Sequence, residues 1–116
     1  MMQKIVDHTG AIVSPFQIEI PTSDLFSYVI SSGDAVSRKA PQYFDATAPS
    51  VRFSLEEAET MAKRFARGLE KLGLKKQEKV LMCAHNHVFF PIALWGVTAA
   101  GGVFTGCSPT ASAYGG

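Results

Sequence analysis

The sequence predicts an α/β fold containing a βαβ unit, and three stretches carry that prediction. Residues 54–72 combine a capping box with apolar side chains at helical spacing. Residues 79–84 form a continuous apolar run, the mark of a strand covered on both faces as in parallel sheets. A nearly all-apolar helix over about 87–100 then leads into a second strand at 103–106. Strand, helix and strand in so short a stretch is the crossover that parallel strands need, right-handed by the usual rule.

Along the chain, Ile5-Val6 and Ile12-Val13 are short extended candidates. Pro15 and Pro21 bracket Phe16-Gln17-Ile18-Glu19-Ile20, whose alternation predicts an extended segment packed along a surface. Ser23 or Thr22 is placed to cap a helix beginning at Asp24, with Leu25, Phe26, Val29 and Ile30 on one face. Ser31-Ser32-Gly33 stops that helix, or Ala35-Val36 prolongs it after a kink. Gln42–Ala46 and Val51–Phe53 read as two strands of a hairpin around the polar turn Thr47-Ala48-Pro49-Ser50.

The helix over 54–72 is the strongest local signal. Ser54 and Glu57 form the capping box, and Leu55, Ala58, Met61, Ala62, Phe65, Leu69 and Leu72 make one apolar stripe. Acidic residues open the helix, basic residues follow, and Gly73 is placed to end it. After the polar loop 75–78 and the strand, Asn86 is a candidate cap for the second helix. Pro91 lies past its first position and predicts a bend in its first turn.

Charge is distributed unevenly. All 21 Asp, Glu, Lys and Arg residues lie between Lys4 and Lys79, and the 37 residues from Val80 onward carry none. Eleven bases against ten acids give no electrostatic reason for a nucleic acid or anionic membrane partner. Residues 88–106 are long enough to span a bilayer, but Pro91, four glycines and the lack of a flanking Lys/Arg cluster oppose a span. Burial by protein is the expectation. Asp7, His8 and Thr9 interrupt any signal-peptide core at the N-terminus. Cys83 and Cys107 sit in apolar stretches and read as buried free thiols.

No residue stands out as catalytic, cofactor-binding or metal-ligating. His85-Asn86-His87 offers two imidazoles, yet residues two apart on an extended segment face opposite ways and no third ligand lies nearby. A turn with a capping Asn is the expectation. Gly101, Gly102 and Gly106 follow a helix and precede or sit in a strand, the reverse of a dinucleotide-binding loop, so they serve packing. Ser108-Pro109-Thr110-Ala111-Ser112 is rich in hydroxyls but has no positioned base. Glu56, Glu57 and Glu59 are accounted for by the start of their helix.

Taken together, several blocks have a familiar order. Arg52-Phe53-Ser54-Leu55-Glu56-Glu57-Ala58 comes first, then the run Ala66–Leu74, then Lys79–His87. The last block runs from Ala93 through Ala99-Ala100-Gly101-Gly102-Val103-Phe104-Thr105-Gly106 to Pro109. From about Pro15 to Ala113 the chain resembles the N-terminal part of the adenylate-forming (AMP-binding) superfamily, in particular acyl-CoA synthetases of the 4-coumarate–CoA ligase type. The first block resembles that family's first core motif and the Ala99–Pro109 block its second.

The resemblance implies a partial N-terminal subdomain of the ligase large domain. Residues 1–116 become an incomplete N-terminal part of an AMP-dependent synthetase/ligase domain, with 1–21 an extended docking segment and 22–116 an α/β subdomain. In this family a carboxylic acid is adenylated with ATP and Mg, and coenzyme A then displaces AMP to give a thioester. The phosphate loop, acid pocket, ribose-binding Asp and adenylate-contacting Lys have no counterpart among these residues, so ATP, Mg and coenzyme A are implied for a full-length member only. Where the family continues into a Glu-Leu-containing helix, this sequence has Tyr114-Gly115-Gly116 after Ala113, which predicts a truncated, inactive fragment. It also shows no C-terminal peroxisomal address, and a cytoplasmic location is expected. The alternative is a non-catalytic interaction module that associates through its uncharged, apolar C-terminal face.

Overall fold

Caps written into the sequence set most helix boundaries in the computed structural model, which describes residues 6–111. Helix α1 (Leu25–Ser31) starts at Asp24, whose carboxylate accepts the Ser27 N–H at 2.9 Å. Asp24 is therefore the cap rather than the first helical residue, and Ser23 and Thr22 are left outside. A carboxylate suits the position better than a hydroxyl because it also opposes the positive end of the helix dipole. The chain turns at Gly33, which has φ +86°, and Asp34 takes the N–H groups of Val36 and Ser37 at 2.9 and 2.8 Å. With this second cap, Ala35 and Val36 begin a separate helix α2 (Ala35–Lys39) instead of prolonging α1.

Strands β1 (Pro41–Phe44) and β2 (Arg52–Ser54) form the expected antiparallel hairpin. Its turn is held by Asp45, which accepts the N–H groups of Thr47 and Ala48 and the Thr47 hydroxyl. Helix α3 (Leu55–Lys71) follows directly, with both arms of the capping box made: Glu57 N–H to Ser54 Oγ at 3.2 Å and Ser54 N–H to the Glu57 carboxylate at 2.8 Å. At its other end Gly73 (φ +98°) donates to Glu70 O and Leu74 donates to Leu69 O, the paired bonds of a Schellman cap.

Strands β3 (Lys79–Cys83) and β4 (Val103–Cys107) are parallel and joined through helix α4 (Phe90–Ala99), which completes the βαβ unit. Helix α4 begins later than its apolar pattern suggested, and Asn86 does not cap it. The Phe90 N–H instead bonds the His87 carbonyl in a turn, and Phe89 occupies the cap position without a side-chain hydrogen bond. Pro91 is thereby the second helical residue, where the backbone N–H has no intrahelical partner to lose, and the expected bend has no cause. Among the described residues no helix is long and apolar enough to cross a membrane.

The most extensive contact between elements is α3 against α4. It is made on small residues: Ala58, Ala62 and Ala66 of α3 are buried, as are Gly96 and Val97 of α4. A Cβ on Gly96 would stand 2.5 Å from Phe65 Cδ1 and 3.1 Å from the Ala62 carbonyl oxygen. The buried stripe of α3 is Leu55, Ala58, Ala62 and Ala66, while Phe65 of the predicted stripe lies over Gly96 with part of its ring exposed and Leu72, at the helix end, is exposed. Helix α1 adds Phe26 and Ile30, packed with Leu55, Ala62, Trp95 and Ala99. The Trp95 Nε1–H reaches Tyr43 Oη at 3.3 Å and ties α4 to the hairpin. Arg38 donates to the Ile30 carbonyl and to Glu59 (2.6 Å), and Glu59 also accepts from Lys63 at 2.5 Å, linking α1, α2 and α3.

The sheet is covered on one side only. Val80, Met82 and Phe104 are half-buried beneath α4, with Phe90 edge-on to Phe104 at 5.6 Å. Lys79, Leu81 and Cys83, together with Val103, Thr105 and Cys107, are exposed. The continuous apolar run is thus a strand with one bare face, and the two thiols expected to be buried are exposed. Phe16, Ile18 and Ile20 are exposed, as are Gln17 and Glu19 between them, and the segment lies outside helix or strand. Of the extended candidates, Val6 and Ile12 form an isolated bridge, and Ile5 lies outside the described residues. The accessible surface is 9114 Å², against about 6200 Å² for a closed monomer of this mass. The radius of gyration is 18.8 Å, against about 13 Å for a compact domain of this length.

Two glycines give opposite expectations. Gly68→Ala, on the open side of α3 with nothing within 4 Å of a new Cβ, stabilises the chain by up to about 1 kcal/mol through helix propensity. Gly96→Ala makes the same propensity gain yet destabilises by about 1–3 kcal/mol, because it pushes α3 from α4. Urea unfolding of both variants checks this, and stabilisation by both would remove the close-approach argument.

A pH dependence follows from the carboxylates. Asp7, Asp24, Asp34 and Asp45 are held below their usual range by hydrogen bonds, and Glu59 by Lys63 first and Arg38 second. Groups depressed in the folded state stabilise it above their unfolded values, and that contribution is lost as pH falls through the folded ones. The melting temperature is therefore expected to hold from neutral pH down to about 5 and to fall steadily below about 4. Glu59→Ala lowers stability at neutral pH by about 1 kcal/mol and flattens the acid limb, as melting curves from pH 2 to 7 will show.

Candidate functional site

In open parallel sheets, ligands bind in the crevice outside the carboxyl ends of the strands. Here the residues after β3 and β4 enclose such a crevice of about 420 Å³, lined by His85, Asn86, Phe90, Cys107, Ser108 and Pro109. Its hydroxyls serve the loop: Ser108 Oγ lies 2.8 Å from Thr110 Oγ1 and accepts the Thr110 N–H at 3.3 Å. Among the described residues no base is hydrogen-bonded to that serine. Ser112, which completed the hydroxyl-rich stretch, lies outside the described residues.

The two histidines part company. His85 lines this crevice, whereas His87 lines a second cleft of about 490 Å³ between the hairpin and the start of α4, with Tyr43, Asp45, Thr47 and Pro91. His87 Nδ1 accepts the Phe89 N–H at 3.3 Å, and its ring stacks on Phe89 with centroids 5.5 Å apart. Across the cleft, Asp45 is held below the usual carboxylate range chiefly by the Thr47 hydroxyl, with a smaller pull from His87. These contacts build a turn and a helix start. A third and larger groove, about 650 Å³, lies on the helix layer between Asp24, Lys63, Arg64, Arg67 and Glu70. It is larger than the strand-end crevice, and its lining mixes charges of both signs with the buried Phe26 and Ala66.

The glycines are structural where they bear on the site. Gly101 (φ +77°) donates to Thr98 O and Gly102 donates to Val97 O, closing α4 with a Schellman cap. A Cβ on Gly102 would meet Val97 at 3.1 Å and Leu74 at 3.2 Å. A divalent cation finds no home: all four aspartates of the sequence are engaged in caps or turns. Among the described residues no three His, Cys, Asp or Glu side chains are grouped for a metal. The described residues therefore do not by themselves supply a ligand set for the Mg that the resemblance implies.

One juxtaposition escaped the sequence reading. The register Lys79↔Val103 continues to Cys83↔Cys107, so the two cysteines stand directly opposite each other at the end of the sheet. The expected second strand, 103–106, stops short of Cys107, and register is not written in either strand's pattern. Both thiols lie on the bare face, and the hydrogen bond with Cys83 pushes the Cys107 thiol above its usual pKa.

Comparison with known proteins agrees with the architecture. Residues 34–115 match the family model described as AMP-binding enzyme. The chain is 33% identical over 92 residues to an acyl-CoA ligase of Aspergillus niger, azaF, covering 79% of this chain and 17% of that protein. It is 32% identical over 87 residues to a nicotinic acid-CoA ligase of Penicillium canescens, olcI, covering 75% of this chain and 16% of that protein. The chain thus spans about a sixth of the length of the curated relatives it matches. Among solved structures, apo MatB from Rhodopseudomonas palustris superposes with a TM-score of 0.69 at 20% identity, over 79% of this chain and 18% of that one. A benzoate CoA ligase from Burkholderia xenovorans gives 0.68 at 24% identity, over 78% of this chain and 18% of that one. At these identities the structural likeness speaks for the fold.

Proposed function

The chain belongs to the AMP-binding enzyme family, and on that premise we propose that it is the N-terminal region of an ATP-dependent acid–CoA ligase and has no turnover by itself. Its α/β fold is that of the N-terminal region of adenylate-forming ligases, and its relatives are acyl-CoA and nicotinic acid-CoA ligases. The observation that carries the reading is the match over residues 34–115, which includes both core blocks the sequence displays. The reaction of such a ligase joins a carboxylic acid to AMP with loss of pyrophosphate, then transfers the acyl group to the coenzyme A thiol. That chemistry needs a phosphate cradle and a lysine at the adenylate. Among the described residues Gly73 and Gly101 end helices, Gly96 and Gly102 sit in close packing, and the lysines lie on helix surfaces and loops or at the exposed start of β3. What the chain supplies is a platform: a βαβ unit locked to α3, with one sheet face bare.

A pyrophosphate-release assay with ATP, coenzyme A and a panel of aryl and fatty acids tests the reading. The purified 116-residue chain should give no signal above the no-enzyme blank, and acid-dependent turnover would overturn the claim.

A second reading has one observation in its favour. Leu81 is 63% and Val103 43% exposed on the uncovered side of the sheet, within or beside the uncharged stretch, and apolar surface of this kind marks an interaction face. As a non-catalytic module the chain would associate through it. Size-exclusion chromatography across a concentration series should then show a concentration-dependent shift to larger species. A concentration-independent monomer would count against this second reading.

A further inference from the structure

We propose that Cys83 and Cys107 form a redox-responsive dithiol pair, which a small-molecule disulfide oxidant converts to an intrachain clamp between β3 and β4. The pair rests on the strand register and not on the ligase reading. In a parallel sheet, level residues on neighbouring strands point to the same face. Adjacent strands lie about 4.8 Å apart, inside the range of Cα separations that disulfides bridge. Cys83 and Cys107 are the last level pair of the ladder, with no further strand residues beyond to resist adjustment. Both are exposed, on the face that α4 leaves bare, so an oxidant has access. They are also the sequence's two cysteines, which removes competing partners within the chain.

The chemistry balances with an oxidant of the glutathione disulfide class. The Cys83 sulfur, as thiolate, attacks one sulfur of the oxidant, forming a mixed disulfide and expelling one glutathione thiolate. The Cys107 sulfur then attacks the Cys83 sulfur of that mixed disulfide and expels the second glutathione. Two protein thiols lose two electrons, the oxidant's disulfide gains them, and the two thiol protons end on the released glutathiones. The roles of Cys83 and Cys107 are interchangeable in this scheme, since either thiolate can attack first. Because Cys107 also lines the strand-end crevice, the clamp would fix the edge of that crevice.

The test uses the whole chain at low micromolar concentration, equilibrated with defined ratios of reduced and oxidised glutathione. The expected product is a monomer two hydrogens lighter, with no titratable thiol, returned to two thiols by dithiothreitol. Its closure constant should be at least about tenfold larger for the folded chain than for the chain in strong denaturant, because the register supplies the effective concentration. Cys83→Ser and Cys107→Ser should each stop at a single glutathione adduct. Persistent double adducts, mostly intermolecular dimers, unreacted thiols, or equal closure constants with and without denaturant would each overturn the proposal.

Discussion

Everything in this chain is positioned by the close crossing of α3 and α4. The contact works because Gly96 leaves room for the Phe65 ring and the Ala62 carbonyl of α3, while Ala58, Ala62 and Ala66 keep the buried seam small. Backbones that approach so closely gain dispersion contacts along their length and leave the larger residues at the flanks. Those flanking residues then recruit the rest. Trp95 reaches the hairpin through Tyr43 and packs on Phe26 of α1, with ring centroids 6.4 Å apart. Because α4 is also the crossover of the βαβ unit, locking it to α3 fixes where the two parallel strands lie and which of their faces is covered.

The charges explain why so built a structure offers so little chemistry. A carboxylate that accepts two or three hydrogen bonds from its own backbone is a poor candidate for proton transfer or metal ligation, since those bonds stabilise its ionised form and occupy its lone pairs. Asp7, Asp34 and Asp45 are each in that state, and Asp24 caps α1. Glu57 closes the capping box and Glu59 joins Arg38 to Lys63. These carboxylates stabilise helix starts, turns and the link between α2 and α3.

How far the fold could be read from the sequence depended on how local the determinant was. The capping box at Ser54 and Glu57, the polar hairpin turn between the first two strands and the glycine stop at Gly73 act within a few residues, and each appears where the sequence puts it, while Asp45, read as a strand residue, anchors that turn. The start of α4 was misplaced because Asn86 is a good cap by composition, while the turn that begins the helix is closed by backbone atoms of His87 and Phe90. The buried stripe of α3 differs from the apolar pattern because Phe65 covers Gly96 from the rim of the contact and Leu72 lies at the helix end, which leaves the alanines buried. The pairing of Cys83 with Cys107 required register, a property of two strands that neither strand's pattern states by itself.

The uncharged third of the chain is best understood through area. The surface exceeds that of a closed monomer of the same mass by roughly 3000 Å², and the bare face of β3 and β4 and the exposed Phe16, Ile18 and Ile20 contribute to it. Obligate interfaces bury about 2000–5000 Å² and resemble a core cut in half, which is how β3 reads: an apolar run written for two-sided burial, covered on one side. A membrane would place apolar groups on the outside of α4, yet Ile92 and Val97 of that helix are buried against protein. Within the stretch from Val80 onward, burial against protein is concentrated at Val88, Ile92, Gly96 and Val97, while the bare face of β3 and β4 is exposed. On the proposed reading as part of a ligase, that bare face is where a neighbouring part of the domain would pack.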